Sequence, residues 1–219
     1  MPYRRLPNTD QARIRALKAV VAKSDTHNLY NLAVSLKTLT EARNFLMRFE
    51  AAQSYYAQCF ERQSQAGRKH QANVKMARLY ISHFIQVLNL AVIRSEVRAA
   101  HKSYYGLPAD SSNVPDLSTE AALVEWGRKI NPTIAKVRVH YDIFTDSYDR
   151  QKNLQALTAR SLDSLSAMRT TADELILDIW NQVEKKFEDI SPNEKRLELC
   201  RDYGLIYYYR TGEKRIEKV

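Results

Sequence analysis

Residues 68–105 have the sequence RKHQANVKMARLYISHFIQVLNLAVIRSEVRAAHKSYY, without a glycine or a proline. The longer interval between Pro7 and Gly106 contains no proline and one glycine, Gly67. Proline lacks the backbone donor that a helix needs, and a glycine inside a helix costs about 1 kcal/mol relative to alanine. An interval so long and so poor in both residues is typical of long helices, so the sequence predicts an all-α protein.

Two long helices are predicted on either side of Gly67. In residues 27–65 the apolar side chains recur at steps of three, four and seven, which is the helical period. They are Leu29, Leu32, Leu36, Leu39, Leu46, Phe49, Tyr56 and Phe60. A second helix is predicted over residues 68–105. Because long helices joined by a short glycine-containing turn pack side by side, we expect residues 25–105 to form an antiparallel hairpin.

The second half of the chain repeats this composition. Residues 106–118 contain two prolines and several small polar residues, which predicts a linker, and residues 119–130 are predicted to form a short helix. Residues 133–191 again lack glycine and proline, but a helix spanning most of that stretch would be about 87 Å long. We therefore expect a break at residues 153–158 and a second hairpin over residues 131–189.

The end of this second hairpin has a clear two-sided pattern. One face is apolar and contains Ala172, Leu175, Ile176, Ile179, Trp180, Val183 and Phe187. The opposite face carries Asp173, Glu174, Asp178 and Asn181. Such a pattern predicts a helix that packs its apolar face into the core.

The predicted architecture is a four-helix bundle of two long antiparallel hairpins, in a single domain over residues 1–219, with short extra helices and a small extended segment at the C-terminus. An offset of 88 residues aligns Phe60-Glu61-Arg62-Gln63 with Tyr148-Asp149-Arg150-Gln151. The same offset places Gly67 opposite the expected break. This faint repeat favours an internal duplication of one hairpin, although any two amphipathic helices share some such matches.

The C-terminal tail changes character. Residues 191–194 have the pattern of a capping box, which predicts a helix start, and Gly204 is a typical residue just past a helix end. Residues 205–210, LIYYYR, are strand-like, and Thr211-Gly212 suits a turn. The tail either straps the bundle closed or associates with another subunit, which makes its three tyrosines a candidate interaction surface: Tyr207, Tyr208 and Tyr209.

Charge is distributed unevenly. The net charge is +9, and residues 1–105 carry 17 Lys or Arg against 6 Asp or Glu, whereas residues 106–219 carry 17 against 19. Three cations that recur at every fourth position predict a basic stripe on one helix face, and two more lie near the N-terminus. These candidate polyanion contacts are Arg94, Arg98, Lys102, Arg13 and Arg15. Such residues can bind a nucleic-acid backbone, face the more acidic half of the protein, or be solvated.

Motifs of catalysis are missing from the sequence. It has no Glu-x-x-His pair for a di-metal bundle, no nucleophile elbow, no Walker A motif, no dinucleotide-binding glycine motif and no zinc-protease motif. We therefore predict no catalytic residue, no cofactor and no metal site. The leading hypothesis is a non-enzymatic structural or protein-interaction bundle with a protein partner or self-association, and the alternative is a nucleic-acid-binding protein that uses the basic first half.

A third hypothesis, an enzyme or small-ligand bundle, depends on His83. This histidine lies amid Tyr80, Ile81, Phe84 and Leu88, so it is either a buried histidine bonded to a neighbour or a base or ligand in a polar cavity. The other histidines near predicted helix ends are expected to be exposed: His27, His70 and His101.

Composition also bears on the cellular location. Cys59 and Cys200 are far apart and form no C-x-x-C motif, which predicts reduced thiols that pack in the interior. No apolar stretch reaches the roughly 20 residues of a membrane span, and the first ten residues are polar. We therefore expect a cytoplasmic protein without membrane contact.

Short segments along the whole chain resemble a known family. They are Leu6-Pro7-Asn8-Thr9-Asp10, Tyr80-Ile81-Ser82-His83-Phe84-Ile85-Gln86, Tyr104-Tyr105-Gly106-Leu107, and Tyr203-Gly204 with Tyr207-Tyr208-Tyr209-Arg210. In these segments the chain is similar to a family of uncharacterised bacterial all-helical proteins. That family carries no assigned activity, so the resemblance implies a bacterial helical protein and assigns no site residue.

Overall fold

The computed structural model describes residues 2–26, 32–131 and 134–210, which are mostly helical. Its helices are α1 (Asp10–Thr26), α2 (Leu36–Ile93), a 3₁₀ helix (Ala99–Tyr105), α3 (Glu120–Ile130), α4 (Ala135–Lys186) and α5 (Asn193–Asp202). Two short strands, β1 (Tyr3–Arg4) and β2 (Tyr207–Tyr208), pair with each other. The predicted all-α class is confirmed, while Leu29 and His27 lie outside the described residues.

Helix α2 is continuous through Gly67, so the predicted turn at this residue is wrong. A Cβ atom at Gly67 would lie 3.4 Å from Nε2 of Gln151 on α4. The glycine therefore marks a contact between two helices and not a reversal of the chain. A lone glycine is tolerated inside a helix at a cost of about 1 kcal/mol, and tertiary packing supplies most of the stability of helices in proteins.

Helix α4 is likewise continuous through residues 153–158, where we predicted a break. None of these residues is a glycine or a proline, and the expectation came from helix length alone. Buried side chains occur in both parts of the helix, for example Phe144 and Trp180, so packing accompanies it along its length. Two uninterrupted helices replace the two predicted hairpins.

Helix α2 ends at Ile93, well before the predicted end at residue 105. Ser95 has a φ of 60°, and the N–H of Glu96 donates to the carbonyl of Ala91 at 3.0 Å. A left-handed residue followed by such a backward hydrogen bond is a common way to close a helix. The chain continues as the 3₁₀ helix, which ends at Gly106 with a φ of 69°.

The chain forms two compact units. Unit 1 comprises Met1–Gln58 and Ala159–Val219, and unit 2 comprises Cys59–Thr158. Helices α2 and α4 each contribute residues to both units. This division differs from the predicted hairpins, in which each half of the chain folded with itself.

The core of unit 1 contains residues from α1, α5, the first part of α2 and the last part of α4. Its largest fully buried side chains include Trp180, Phe49 and Leu17. The apolar face that we predicted over residues 172–183 is buried, and Phe187 packs against the same core. Hydrophobic periodicity therefore identified this part of the core correctly.

The two strands of unit 1 join the two ends of the described chain. Strand β1 pairs antiparallel with β2, with Tyr3 opposite Tyr208 and Arg4 opposite Tyr207. The strand-like tail is confirmed, but its partner is the N-terminal segment, and the predicted turn at Thr211-Gly212 lies outside the described residues. Gly204 precedes the strand with a φ of 85°, as expected for a residue past the end of α5.

The core of unit 2 is formed by the second part of α2, α3, the first part of α4 and the linker. The Thr119 hydroxyl caps α3 by accepting the N–H of Ala122 at 3.1 Å, and α3 matches the predicted short helix. Gly127 of α3 lies against the ring of Tyr141, because a Cβ at this position would be 2.1 Å from two ring carbons. The close approach of α3 and α4 therefore requires a glycine.

Candidate functional site

The histidines are placed differently from our prediction. His83 is exposed on α2, so the expectation that it lies in the core is wrong. The buried histidine is His70, whose residue surface is 3 % exposed although we expected it at a helix end. Its neighbours decide whether unit 2 contains a reactive site.

His70 connects three helices of unit 2. Its Nδ1 lies 2.9 Å from Oγ of Ser147 on α4, and its Nε2 lies 3.0 Å from Oε1 of Glu120 on α3. The Ser147 hydroxyl donates its proton to the carbonyl of Phe144 at 2.9 Å, so it accepts from the N–H of Nδ1. Nε2 faces the Glu120 carboxylate, so both ring nitrogens have a partner.

These three side chains have the composition of a catalytic triad without its geometry. The Ser147 proton is directed to a backbone carbonyl, so the imidazole is not placed to remove it. Ser147 also lies inside α4, where the amide groups bond within the helix, whereas acyl transfer requires free donors for an oxyanion. The arrangement is a buried polar anchor between helices.

We also searched the described residues for a metal site and for a reactive thiol. Within residues 2–26, 32–131 and 134–210, no three His, Cys, Asp or Glu side chains are grouped so that they could hold a metal ion. Cys59 and Cys200 are free and buried, as predicted for packing residues. Burial raises the pKa of the Cys200 thiol, which disfavours the reactive thiolate.

The basic stripe predicted on one helix face is wrong. Helix α2 ends before Arg94, so Arg94 and Arg98 do not continue a helical face to Lys102. Lys102 is 2 % exposed, and its Nζ donates to the carbonyl of Ser111 at 2.9 Å. Lys102 therefore anchors the linker, and Arg94 and Arg98 are exposed without it.

Arg13 and Arg15, the other two candidate polyanion contacts, have different environments. Arg13 is buried and binds both carboxylate oxygens of Asp173 at 2.8 Å. Asp10 lies 3.4 Å from Arg13 and is bound by Arg169 through hydrogen bonds of 2.9 and 2.8 Å. Hydrogen bonding to Asp173 raises the pKa of Arg13. Arg13 is thus part of an ion-pair network between α1 and α4, whereas Arg15 is exposed.

The three tyrosines of the tail are partly engaged inside unit 1. Tyr207 is half-buried, and its hydroxyl donates to Oε1 of Glu184 at 2.8 Å. Burial is the largest cause that raises the pKa of Tyr207. Tyr208 is exposed, and its ring centre lies 5.8 Å from that of Tyr3, while Tyr209 is half-buried. The tail straps the N-terminal segment of the same chain.

An exposed apolar strip on α2 is the feature that our sequence analysis missed. Its large aliphatic side chains are 39 to 66 % exposed: Met76, Leu79, Val87, Leu90 and Ile93. We call these residues, together with the exposed His83 and Gln86 between them, the α2 face. Another strip of the same helix, with Ala77, Ile81 and Ile85, is buried. Both strips have helical spacing, so the pattern alone could not show which one the fold covers.

The α2 face carries no charge. The single charged residue between Met76 and Ile93 is Arg78. Its guanidinium donates to the carbonyls of Leu117 and Ser118 at 2.9 and 2.8 Å, so it is engaged with the linker. An uncharged apolar strip therefore extends over the last turns of α2.

Among the described helices, α2 is also long and apolar enough to cross a membrane by length and composition. In the most apolar window of 18 residues, 22 % of the residues are buried. One such helix is weak evidence, because a core helix of a soluble protein passes the same test. The predicted location and the predicted lack of membrane contact remain predictions.

A groove of about 580 Å³ is lined by residues of α2 and α4 in unit 2. Three of its lining residues are the exposed cations Arg62, Lys69 and Arg150, and the carboxylate among them is Asp146. The groove is open to solvent and has a net positive lining.

Comparison with protein-family models, with curated proteins and with solved structures gives no match. The function therefore has to be argued from the residues of this chain. The α2 face and the basic groove are the two surfaces from which it can be argued.

Proposed function

We propose that the chain is a non-enzymatic interaction protein that binds a protein partner through the α2 face. The observation that carries this proposal is the strip of five exposed aliphatic side chains on a helix whose other side already packs in the core of unit 2. Contiguous exposed apolar patches are rare on soluble monomers and mark interaction sites.

The shape of the α2 face favours a macromolecular partner. Small-molecule sites are concave and enclose most of their ligand, whereas this face is one side of the continuous helix α2. Side chains at helical spacings of three, four and seven are the usual anchors when a helix binds a protein groove or another helix. Leu79, Leu90 and Ile93 are the most exposed of these side chains.

The engagement of the reactive side chains also supports a non-enzymatic function. His70 is held between Ser147 and Glu120, and Lys102 is held by the linker carbonyl of Ser111. Tyr207 donates to a carboxylate within unit 1. These groups form structural contacts, which supports a function that does not depend on their reactivity.

Site-specific photo-crosslinking tests the proposal. A benzoyl-phenylalanine placed at Leu90 lies on the α2 face, and one placed at the exposed Arg48 lies on the same helix in unit 1. In cells that produce the chain, we expect a discrete protein adduct from position 90 and none from position 48. The proposal fails if position 90 gives no protein adduct or the same adducts as position 48.

The groove of unit 2 favours a second candidate function, nucleic-acid binding. Arg62, Lys69 and Arg150 could contact phosphates along a groove of this size. The anisotropy of a labelled single strand and a labelled duplex should then fall steeply with salt, and the triple variant Arg62→Gln, Lys69→Gln and Arg150→Gln should lose binding. Equal binding by the triple variant would exclude this groove.

A further inference from the structure

We infer that the partner of the α2 face is a second copy of this chain, whose own α2 face packs against it in antiparallel orientation. This inference rests on the proposed function and names the partner. It follows from the spacing of the face, from its symmetry and from the two polar side chains at its centre.

The spacing of the α2 face is that of a two-helix interface. Six of its residues follow one another at steps of three, four, three, four and three: Met76, Leu79, His83, Gln86, Leu90 and Ile93. This is the a and d pattern of a coiled coil, in which each helix presents a narrow strip to one other helix. Val87 flanks the strip and widens it.

The strip is complementary to itself about a two-fold axis. An axis that crosses α2 between residues 84 and 85 places Leu79 opposite Leu90 of the second copy, and Met76 opposite Ile93 of the second copy. It also places His83 opposite Gln86 of the second copy. Each contact occurs twice in such an interface. Apolar side chains therefore meet apolar side chains at both ends, and the two polar pairs meet at the centre.

The central polar pair favours the antiparallel orientation. A glutamine amide both donates and accepts, so it can bond a histidine ring nitrogen in either tautomer. A polar pair inside an apolar strip fixes the register of two helices. Parallel packing would instead place His83 opposite His83 and Gln86 opposite Gln86 of the second copy, so the mixed pair forms in the antiparallel orientation.

The same polar pair argues against a lipid surface as the occupant. Hydrocarbon would leave the side chains of His83 and Gln86 without hydrogen-bond partners. Helices that lie on membranes also carry Lys and Arg along their polar flanks. Between Met76 and Ile93 the one cation is Arg78, and the linker carbonyls engage it.

The area of the strip suits a reversible dimer. Covering the seven side chains of the α2 face on both copies removes on the order of 1,000 Å² of accessible surface, which is near the lower limit for a specific interface. We therefore expect a dimer that dissociates on dilution.

Analytical ultracentrifugation of the full chain is the first test. The wild type should approach twice its chain mass of 25.4 kDa as its concentration rises. Leu90→Glu places a carboxylate in both symmetric contacts and should raise the dimer dissociation constant by about 100-fold or more. The matched control is Met47→Glu, which changes a 68 % exposed residue of α2 in unit 1 and should leave the dissociation constant unchanged.

Cysteine pairing tests the orientation. In the antiparallel dimer the double variant Leu79→Cys, Leu90→Cys should form a disulfide-linked dimer on mild oxidation. Each single variant should not, because its two cysteines would lie about 16 Å apart, beyond the reach of a disulfide. Covalent dimers from either single variant would overturn the antiparallel arrangement, and the wild type controls for Cys59 and Cys200.

The remaining outcomes separate this inference from the proposed function. A wild type that stays monomeric up to about 100 μM overturns the dimer. If position 90 still gives adducts with a different protein, the proposed function stands with another partner, and if it gives no protein adduct, both fail. A monomer that binds vesicles of equal parts phosphatidylcholine and phosphatidylglycerol, and loses this binding with Leu90→Glu, would identify lipid as the occupant and also overturn the dimer.

Discussion

Unit 1 and unit 2 both bury polar side chains, but the part of α2 that each contains differs in its exposed surface. In unit 1 the paired charges of Arg13 and Asp173 join α1 to α4, and the core is apolar. In unit 2 the polar side chains of His70 and Lys102 are buried, while the apolar α2 face is exposed. The α2 face of unit 2 is an uncharged run of exposed aliphatic side chains, and we propose that a partner covers it.

Helix α2 contains the contrast within a single element. Residues 36–53 carry five charged side chains, whereas residues 76–93 carry one. The first stretch can present charge to water beside its buried strip, and the second presents aliphatic side chains instead. Helix α2 packs in the core of both units, and in unit 2 its other side is the face that we propose as a docking surface.

The largest change should come from breaking the interior of unit 2 at Gly127. The new methyl group of Gly127→Ala would overlap the ring of Tyr141, so α3 has to shift away from α4. We expect the free energy of unfolding to fall by about 3 kcal/mol, measured by urea denaturation. An unchanged unfolding midpoint would show that α3 does not pack this closely.

Breaking the ion pairs of unit 1 should lower the stability by a smaller amount. Two nearby arginines, one paired and one exposed, allow this contribution to be measured. Arg13→Met leaves Asp173 without its main partner and should cost about 2 kcal/mol of stability. Arg15→Met changes an exposed side chain and should cost less than about 0.5 kcal/mol. Equal losses in the two variants would mean that the network contributes little to the stability of unit 1.

The stability that Tyr207 of β2 gives to unit 1 should fall at alkaline pH. The pKa of Tyr207 is raised above its ordinary value of 10.0, chiefly by burial. As the pH rises past 10.0, the Tyr207 hydroxyl loses its proton in the unfolded chain and keeps it in the folded chain. The contribution of Tyr207 to the free energy of unfolding is complete below that pH and is lost above it.

Tyr207→Phe removes this titration together with the hydrogen bond to Glu184. At neutral pH the variant should lose about 1 kcal/mol of stability. Between about pH 9 and about pH 11 its unfolding free energy should fall less than that of the wild type. If the unfolding free energies of the two proteins changed in parallel with pH, the loss of stability could not be assigned to Tyr207.

The smallest effect is expected at Gly67, and its sign is opposite. A methyl group at this position would lie 3.4 Å from Nε2 of Gln151, an ordinary contact. Gly67→Ala should therefore stabilise α2 by about 0.5 to 1 kcal/mol, seen as a raised Tm. A lowered Tm would show that the helices at this point need the glycine as α3 needs Gly127.

Local signals in the sequence predicted the parts of the fold that short segments decide. The all-α class follows from the distribution of proline and glycine, the short helix predicted over residues 119–130 is α3, and Gly204 follows α5. The errors at Gly67 and at residues 153–158 have one cause. A helix of more than 50 residues forms when neighbours pack along it, and no local signal announces those neighbours.

The candidate site was harder to predict for the same reason. Arg13 and Lys102 are charged residues that the sequence placed at the surface, but Asp173 and the carbonyl of Ser111 bind them after folding. His83 lies among apolar residues in the sequence, yet the strip around it is the one left uncovered. Sequence periodicity shows that two strips are apolar, and only packing decides which becomes the core.

The chain has one tryptophan in each unit. The indole of Trp180 in unit 1 is completely buried, and its Nε1 has no hydrogen-bond partner within the described residues. The indole of Trp126 in unit 2 is half-buried, with the ammonium of Lys129 4.3 Å from its ring centre. An indole in apolar surroundings emits at a shorter wavelength than an indole beside a charge and water. The two tryptophans should therefore emit at different wavelengths. Replacing either one by phenylalanine leaves a fluorescence reporter of the unit that contains the other.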